Sequence, residues 1–316
     1  MDKRKQYLII ACFFAIYVIW GSTYLLNKVA VAQLPPFMLA SFRFILAGGL
    51  IFIFCLFRGM PVKITKKQLL NTAFAGFLFL SIGNGIVVWA LQIVDSGFAS
   101  LLISSQPLVI LLLMYILYRK PVQRSSIIGV IMGVLGIYLL VNQQQMIQSE
   151  DTITGAIVII FCVFTWGYAS IFVGKADLPE NYFVNTAYQM VIGGFVLLLM
   201  SLGANEQWVL PDEWNEQTWF SMIGLILFGS IVAFTSFNYL LKTVSPEMVA
   251  TSTYVNPVVA MFLGWLVLKE TVTTQSIVAG IILLTGVYFI NMKRNIQVYR
   301  RFYSIRRVNR QKRNTI

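Results

Sequence analysis

One arginine, a few amides and a set of aromatic residues are the groups here that could do chemistry, because they stand inside stretches that are otherwise apolar. Arg43 is the single charge well inside such a stretch. A cation left at a bilayer centre costs roughly 2.5–3.5 kcal/mol on insertion scales, so it needs partners. Two readings stay open: a structural arginine bonded to helix carbonyls or hydroxyls, or a contact for an anionic substrate group or a gate. Trp20, Thr23, Tyr24 and Asn27 recur at helical spacing and share one face. Asn181, Asn185, Tyr188 and Gln189 form a second such stripe, Thr235, Asn238 and Tyr239 a third, and Asn84 and Trp89 mark another helix. Lone hydroxyls in apolar helices usually serve packing or backbone bonding. Clustered amides beside aromatic rings suit the wall of a wet cavity. Gln106 and Asn256 each precede a proline, Pro107 and Pro257, that removes a backbone hydrogen bond and frees a carbonyl. The two amides could answer those carbonyls, and the prolines could be plain kinks or hinges that line a cavity.

What is missing excludes whole classes of function. There is no histidine, and no Asp or Glu lies deep within an apolar stretch. Intramembrane metalloproteases, aspartyl proteases and histidine-dependent acyltransferases therefore lack their essential groups. No metal site or cofactor is expected, and coupling to protons through a mid-membrane carboxylate is excluded on the same ground. Cys12, Cys55 and Cys162 fall inside apolar runs and read as small packing residues rather than a disulfide framework.

The elements that must position these residues are membrane helices. Hydrophobic residues make up 58% of the chain and charged residues only 11%; the mean hydropathy is +0.76. Stretches long enough to cross a ~30 Å hydrocarbon core lie near 7–27, 36–57, 69–91, 97–118, 125–141, 154–174, 181–202, 219–241, 246–268 and 276–292. Backbone amides in lipid must bond within their own segment, and unbroken apolar runs without alternation exclude a barrel. The expected fold class is an all-α integral membrane protein of ten transmembrane helices, in one membrane domain over 1–316. The first run, from Tyr7 to Leu26, follows Lys3, Arg4 and Lys5 like a signal peptide, but it is too long for one and reads as helix 1. With both termini cytoplasmic, every basic residue except Lys28, Arg43 and Lys269 falls on the inner side. The net charge of +12 is concentrated in a basic cytoplasmic tail, 293–316, suited to anionic lipid headgroups rather than nucleic acid.

An internal repeat organises the ten spans. Laying 94–139 on 244–289 without a gap pairs Pro107 with Pro257, Gly136 with Gly286 and Tyr138 with Tyr288, and sets Gln106 against Asn256. Upstream, Trp20-Gly21 pairs with Trp166-Gly167 and Gly48-Gly49 with Gly193-Gly194. The repeats cover 7–141 and 154–292, five helices each, and an odd count makes the second copy upside down to the first. Inverted halves can exchange inward-open and outward-open shapes around a central site. The glycines Gly129, Gly133 and Gly136 read as a close-packing stripe that could serve a homodimer face.

Several of these motifs resemble EamA-type transporters of the drug/metabolite transporter superfamily: Trp20-Gly21-Ser22-Thr23-Tyr24, Arg43 through Gly48, Gln106-Pro107-Leu108, Asn256-Pro257-Val258-Val259, and Leu268-Lys269-Glu270 followed by Gly280 to Tyr288. The resemblance implies ten helices in two inverted halves around a substrate cavity, and movement of amino acids, related metabolites or drugs, often outward. Where that family often has a carboxylate at the end of the fourth helix, this chain has Arg119-Lys120.

The leading expectation is a carrier in a bacterial plasma membrane, exporting amino acids or similar metabolites by alternating access. Helices 1, 3, 4, 6, 8 and 9 would line the path. Trp20, Trp89, Trp166, Tyr239 and Tyr254 would form aromatic walls; Gln106, Asn238 and Asn256 would orient polar groups; Thr23, Arg43, Asn84 and Tyr188 complete the candidates. A non-transporting membrane assembly or sensory component is the rival from another class.

Overall fold

The computed structural model describes residues 3–119, 124–142, 150–244, 249, 252–286 and 288–289, with helices and no strand among them. The basic tail, 293–316, lies outside the described residues, as does the side chain of Tyr254. Among the described residues, seven helices are long and apolar enough to cross a membrane: α1 Lys5–Val31, α2 Pro36–Phe57, α3 Lys66–Ala90, α4 Ser96–Tyr118, then α6 Asp151–Val173, α7 Tyr182–Gly203 and α8 Glu216–Thr243. Three shorter apolar helices occupy the remaining expected spans: α5 Ser126–Leu140, α9 Val255–Leu268 and α10 Thr274–Gly286. Large apolar side chains such as Phe57, 87% exposed, and Phe220, 74% exposed, point outward. That would be costly in water and is ordinary against lipid.

Local sequence sets the helix ends. Pro36 opens α2, where its missing N–H has no intrahelical acceptor to lose. Thr65 and Gln68 form a reciprocal capping box at the start of α3. Asn181 and Asn215 cap α7 and α8 through Phe183 N and Thr218 N. Two carboxylates cap helices from a distance. Glu206 accepts from Phe37 N (3.0 Å) and Met38 N (2.8 Å) at the head of α2. Glu270 accepts from Ser96 N (2.9 Å), Ser96 Oγ (2.8 Å) and Gly97 N (3.3 Å) at the head of α4. Left-handed residues end four helices: Gly59 after α2, Arg119 after α4, Asn205 after α7 and Lys269 after α9. Both β-carbon-bearing basic residues thus sit where glycine is the easier choice.

Two sets of glycine contacts are reciprocal, and a third recurs at positions that match in the sequence repeat. A Cβ on Gly48 of α2 would meet Val191 Cγ2 at 2.8 Å and the Ala187 carbonyl at 3.0 Å, and one on Gly194 of α7 would meet Ile45 Cγ1 at 2.7 Å and the Ser41 carbonyl at 3.3 Å. Positions 41, 45 and 48 stand to 187, 191 and 194 at one constant offset, so this is a single contact read from either helix. Gly136 of α5 meets Ala279 O at 3.0 Å and Leu283 Cβ at 2.8 Å, while Gly286 of α10 meets Gly129 O at 2.7 Å and Gly133 N at 2.8 Å. Gly21 of α1 abuts Val259 Cβ of α9 at 2.7 Å, and Gly167 of α6 abuts Val109 Cγ1 of α4 at 3.3 Å. The glycine stripe on α5 is thus covered by α10 and by Leu108 of α4 within the same chain, which corrects its reading as a dimer face. Glycines repeating along a helix signal close approach but do not say whose helix approaches.

The prolines differ from each other. Helix α4 breaks at Ser104 and Ser105, and Pro107 stands in the first turn of a new helical segment, Gln106–Tyr118. Hydroxyls of Ser104 and Ser105 bond the carbonyls of Leu101 and Leu102 at 2.6 Å. Pro257 lies inside a continuous helix. Four of these helices also contain wide π-turns, at Ala15–Ile19 in α1, Phe77–Gly85 in α3, Leu225–Phe234 in α8 and Gly264–Leu268 at the end of α9.

Candidate functional site

The wide turns matter because their extra residue rotates side chains that a regular helix would aim elsewhere. In α3 the π segment carries Gly83 and Asn84, and in α8 it carries Gly229 and Ser230. Gly83, Asn84 and Gly229 line a cavity of about 140 Å³ between the helices, walled from α1, α2, α3, α4, α6, α8 and α9. Of the residues singled out by sequence, Trp20, Thr23, Arg43, Asn84, Gln106, Trp166, Asn256 and Pro257 line it.

Arg43 is 2% exposed. Its Nε donates to Ser230 Oγ at 2.8 Å and its Nη1 to Asn27 Oδ1 at 3.4 Å. The guanidinium carbon lies 4.8 Å from the centre of the Phe44 ring. The remaining guanidinium N–H groups have no partner among the described residues, and no carboxylate pairs with it there. Both of its partners are neutral, so the charge is oriented but not neutralised. Gly229 makes room for it: a Cβ there would stand 3.2 Å from Nη2 and 2.8 Å from Thr23 Cγ2. The Gly229 carbonyl meanwhile accepts from Trp20 Nε1 at 3.3 Å. The side chain of Asn84, within the α3 π segment, presents a buried Oδ1 without a hydrogen-bond partner among the described residues.

An aromatic wall completes the site. Trp20 and Trp166, which pair in the sequence repeat, meet edge to face with centroids 6.0 Å apart. Phe237 lies 5.0 Å from Trp20 and Phe79 4.8 Å from Trp166, and Phe234 closes the group at 5.9 Å from Phe237. Edge-to-face pairs add about 0.5–1.5 kcal/mol each beyond the area they bury, so this wall is stiff.

Five of the residues that the sequence singles out fall away from the cavity wall. Pro107 turns α4 but does not line the space. Trp89 packs into an apolar cluster and borders a separate surface groove beside Pro35 and Glu206. Tyr188 donates from its hydroxyl to the Val62 carbonyl at 3.1 Å and meets Phe52 edge to face at 4.8 Å. Tyr239 stands against Tyr182 at 5.2 Å. Asn238 belongs to a buried amide knot between α7 and α8: its Nδ2 donates to Thr186 Oγ1 at 2.8 Å and Gln189 Oε1 at 3.5 Å, and its Oδ1 accepts from Asn185 Nδ2 at 3.5 Å. Clustered amides satisfy each other as readily as they satisfy a cavity's contents. The role expected for the amides before the prolines also changes. Gln106 faces the cavity and bonds no described residue. Asn256, with its amide nitrogen toward α1, donates to Tyr17 O at 2.8 Å and Ile16 O at 2.9 Å in the π-turn. Ser230 and Gly229, which orient and admit Arg43, were not singled out by sequence; a Gly-Ser pair inside an otherwise apolar run was the available signal.

The cavity enclosed by apolar helices from both ends of the chain suits a transporter, and comparison with known proteins agrees. Residues 7–142 and 153–292 each match the EamA-like transporter family. The chain belongs to that family. This EamA protein is accordingly a multi-pass membrane transporter and not an enzyme. It is 35% identical over 267 residues to the uncharacterized inner membrane transporter YedA of Escherichia coli (strain K12), covering 84% of each chain. It is 21% identical to the uncharacterized transporter YoaV of Bacillus subtilis (strain 168), covering 87% of this chain and 93% of that one. A chloroplastic WAT1-related protein of Arabidopsis thaliana is 24% identical over 87% of this chain and 67% of its own. A crystal structure superposes with a TM-score of 0.65 at 18% identity, covering 90% of this chain and 96% of that one, which speaks for the fold.

Proposed function

We propose that this EamA transporter is a secondary carrier of small polar metabolites in a bacterial inner membrane, working as an exporter of amino acids or related metabolites. Ten transmembrane helices in two inverted five-helix halves would rock about the cavity, with both termini cytoplasmic. The observation that carries the reading is the meeting of Trp20 with Trp166 at the cavity wall. Equivalent residues of two repeats touch each other only where a two-fold axis passes between them. The reciprocal contacts of Gly48 with Gly194's helix, Gly136 with Gly286's helix, and the paired contacts of Gly21 and Gly167 support the same axis. The left-handed pairs Gly59 with Asn205 and Arg119 with Lys269 also recur at matching places in the two halves. A site on such an axis is reachable from either side by equivalent motions, which is what alternating access needs. Among the described residues no Asp or Glu lines the cavity, which supports uniport or exchange over coupling through a buried carboxylate.

The test is flux in liposomes holding the purified protein, using a panel of labelled amino acids and related metabolites. Saturable counterflow of at least one solute is expected, unchanged by a protonophore. A protein that moves no solute on a broad panel would instead be the assembly or sensory component that the composition also allows.

A further inference from the structure

Among the described residues that line the cavity there is one charge, and it is positive. They include Arg43 and no Asp, Glu or Lys. A guanidinium buried at 2% exposure, held by two neutral side chains, and with N–H groups still open, is a poor structural device. A purely structural arginine in lipid would be neutralised by a carboxylate or saturated by carbonyls. Here Ser230 Oγ and Asn27 Oδ1 aim the group, while Gly229 keeps its Nη2 side clear. The planar fork of an arginine fits a carboxylate through two parallel hydrogen bonds. The rest of the lining is neutral: the rings of Trp20, Trp166, Phe234 and Phe237 and aliphatic side chains, interspersed with amides and hydroxyls such as Asn84, Gln106 and Ser104.

We propose that Arg43 is the substrate's carboxylate anchor, and that the substrate class is small organic monoacids with an apolar body, for which an ammonium group is not required. The inference rests on the carrier reading and narrows it. An amino acid would be accepted for its carboxylate, its ammonium meeting neutral amides, hydroxyls and ring faces but no carboxylate among the described lining residues. A second acidic group would find no cation among the described lining residues. Removing the ammonium should therefore matter little, and removing the carboxylate should matter greatly.

Four probes share one skeleton: phenylalanine, phenylpropionate, phenylpropionamide and phenethylamine. Thermal stabilisation of the detergent-purified protein reads binding, and flux of the same labelled probes into liposomes reads transport. Phenylalanine and phenylpropionate should both stabilise the wild type; the amide and the amine should bind about 10- to 100-fold more weakly, the range for losing charge-assisted hydrogen bonds. Arg43→Gln should abolish the preference for acids, and Arg43→Lys should keep part of it. Gly229→Ala retains the charge but crowds Nη2, and should weaken acid binding if Arg43→Gln does not yield a monodisperse protein. The proposal is overturned if the amide or amine binds the wild type as tightly as the acid, if Arg43→Gln and Gly229→Ala leave the acid preference intact, or if none of the four binds. Acids that bind through Arg43 yet never cross would leave the anchor standing and end the carrier reading. A neutral amide that crosses as fast as the acid would do the reverse.

Discussion

At the scale of single residues, the cavity separates groups that bond within the protein from groups left open. Ser230 is the former: its hydroxyl, on a fully buried side chain, is the closest partner of Arg43, at 2.8 Å. Ser230→Ala should destabilise the protein by about 1–3 kcal/mol, the usual penalty for orphaning a buried donor, read as a lower melting temperature in detergent. A melting curve that does not move would mean the guanidinium finds another acceptor. Glu270 is bonded by three N–H or O–H groups at the head of α4. A carboxylate in that place satisfies orphan amides and opposes the helix dipole. Glu270→Ala should therefore cost about 0.5–2 kcal/mol, and Glu270→Gln should recover part of it, because the amide oxygen still accepts one bond. Equal losses for the two variants would remove the cap from the account. The carboxylate that ends the ninth helix thus ties α9 to α4, and the basic residue in the corresponding place after α4 cannot cap in the same way.

At the scale of elements, helix packing depends on which glycines are covered. Gly48 and Gly194 let α2 and α7 run against each other, whereas a Cβ at neighbouring Gly49 meets nothing within 4 Å. Overpacking a filled interface costs about 1–3 kcal/mol. Gly48→Ala and Gly194→Ala should each lower the melting temperature, and Gly49→Ala should leave it level or raise it through better helix propensity. The reverse order among these three variants would contradict the interface. A second element-level feature joins three helix ends. Lys28 of α1 donates to Leu91 O and Val94 O, each at 2.7 Å, just past α3. Asp95, between α3 and α4, is half-buried beside Lys28 and Glu270; burial first, then Glu270, raise its carboxyl above the usual 3.8, while Lys28 opposes them. A raised folded-state value means the folded protein holds this proton more tightly than the unfolded chain. The resulting stability is full below 3.8 and is lost as pH climbs through the raised value. Melting temperature should accordingly rise as the pH falls from about 7 toward about 4, and Asp95→Asn should flatten that slope. A steeper slope in the variant would reverse the assigned sign.

For the whole molecule, the orientation proposed from where the basic residues fall has its own test. A reporter that fluoresces only in the cytoplasm, fused after Ile316, should be bright, and one active only outside should be silent. Opposite signals would invert the proposed assignment of sides, but not the helix contacts at the glycines, which are internal to the fold. Among the described residues, two apolar clusters fill the bundle. One lies around Leu34, Leu91, Leu101 and Ile159, the other around Phe44, Phe79, Met190 and Leu240. Arg43 and the aromatic wall lie where the helices around these clusters converge on the cavity. If transport runs by the proposed alternating access, one end of such a bundle loosens while the other stays packed, and substitutions of the small residues at its helix crossings should lower flux.

Much of this was legible in the chain itself. Helix positions came from apolar length, because lipid forbids unpaired backbone. The family resemblance came from Trp20-Gly21, Gln106-Pro107 and Asn256-Pro257, whose types and order are hard to produce by hydrophobicity alone. The importance of Arg43 came from the cost of its charge. Sequence could not say which polar stripes face the cavity. Asn238 and Tyr188 are chemically like Asn84 and Trp20, yet the fold bonds them away from the cavity that Asn84 and Trp20 line. Nor could it place Ser230 beside Arg43, 187 residues away. That pairing depends on a π-turn in α8, which rotates a few side chains without leaving a pattern in residue types. Periodicity determines which face of a helix is polar; only the neighbouring helices decide whether that face meets another amide or an open space.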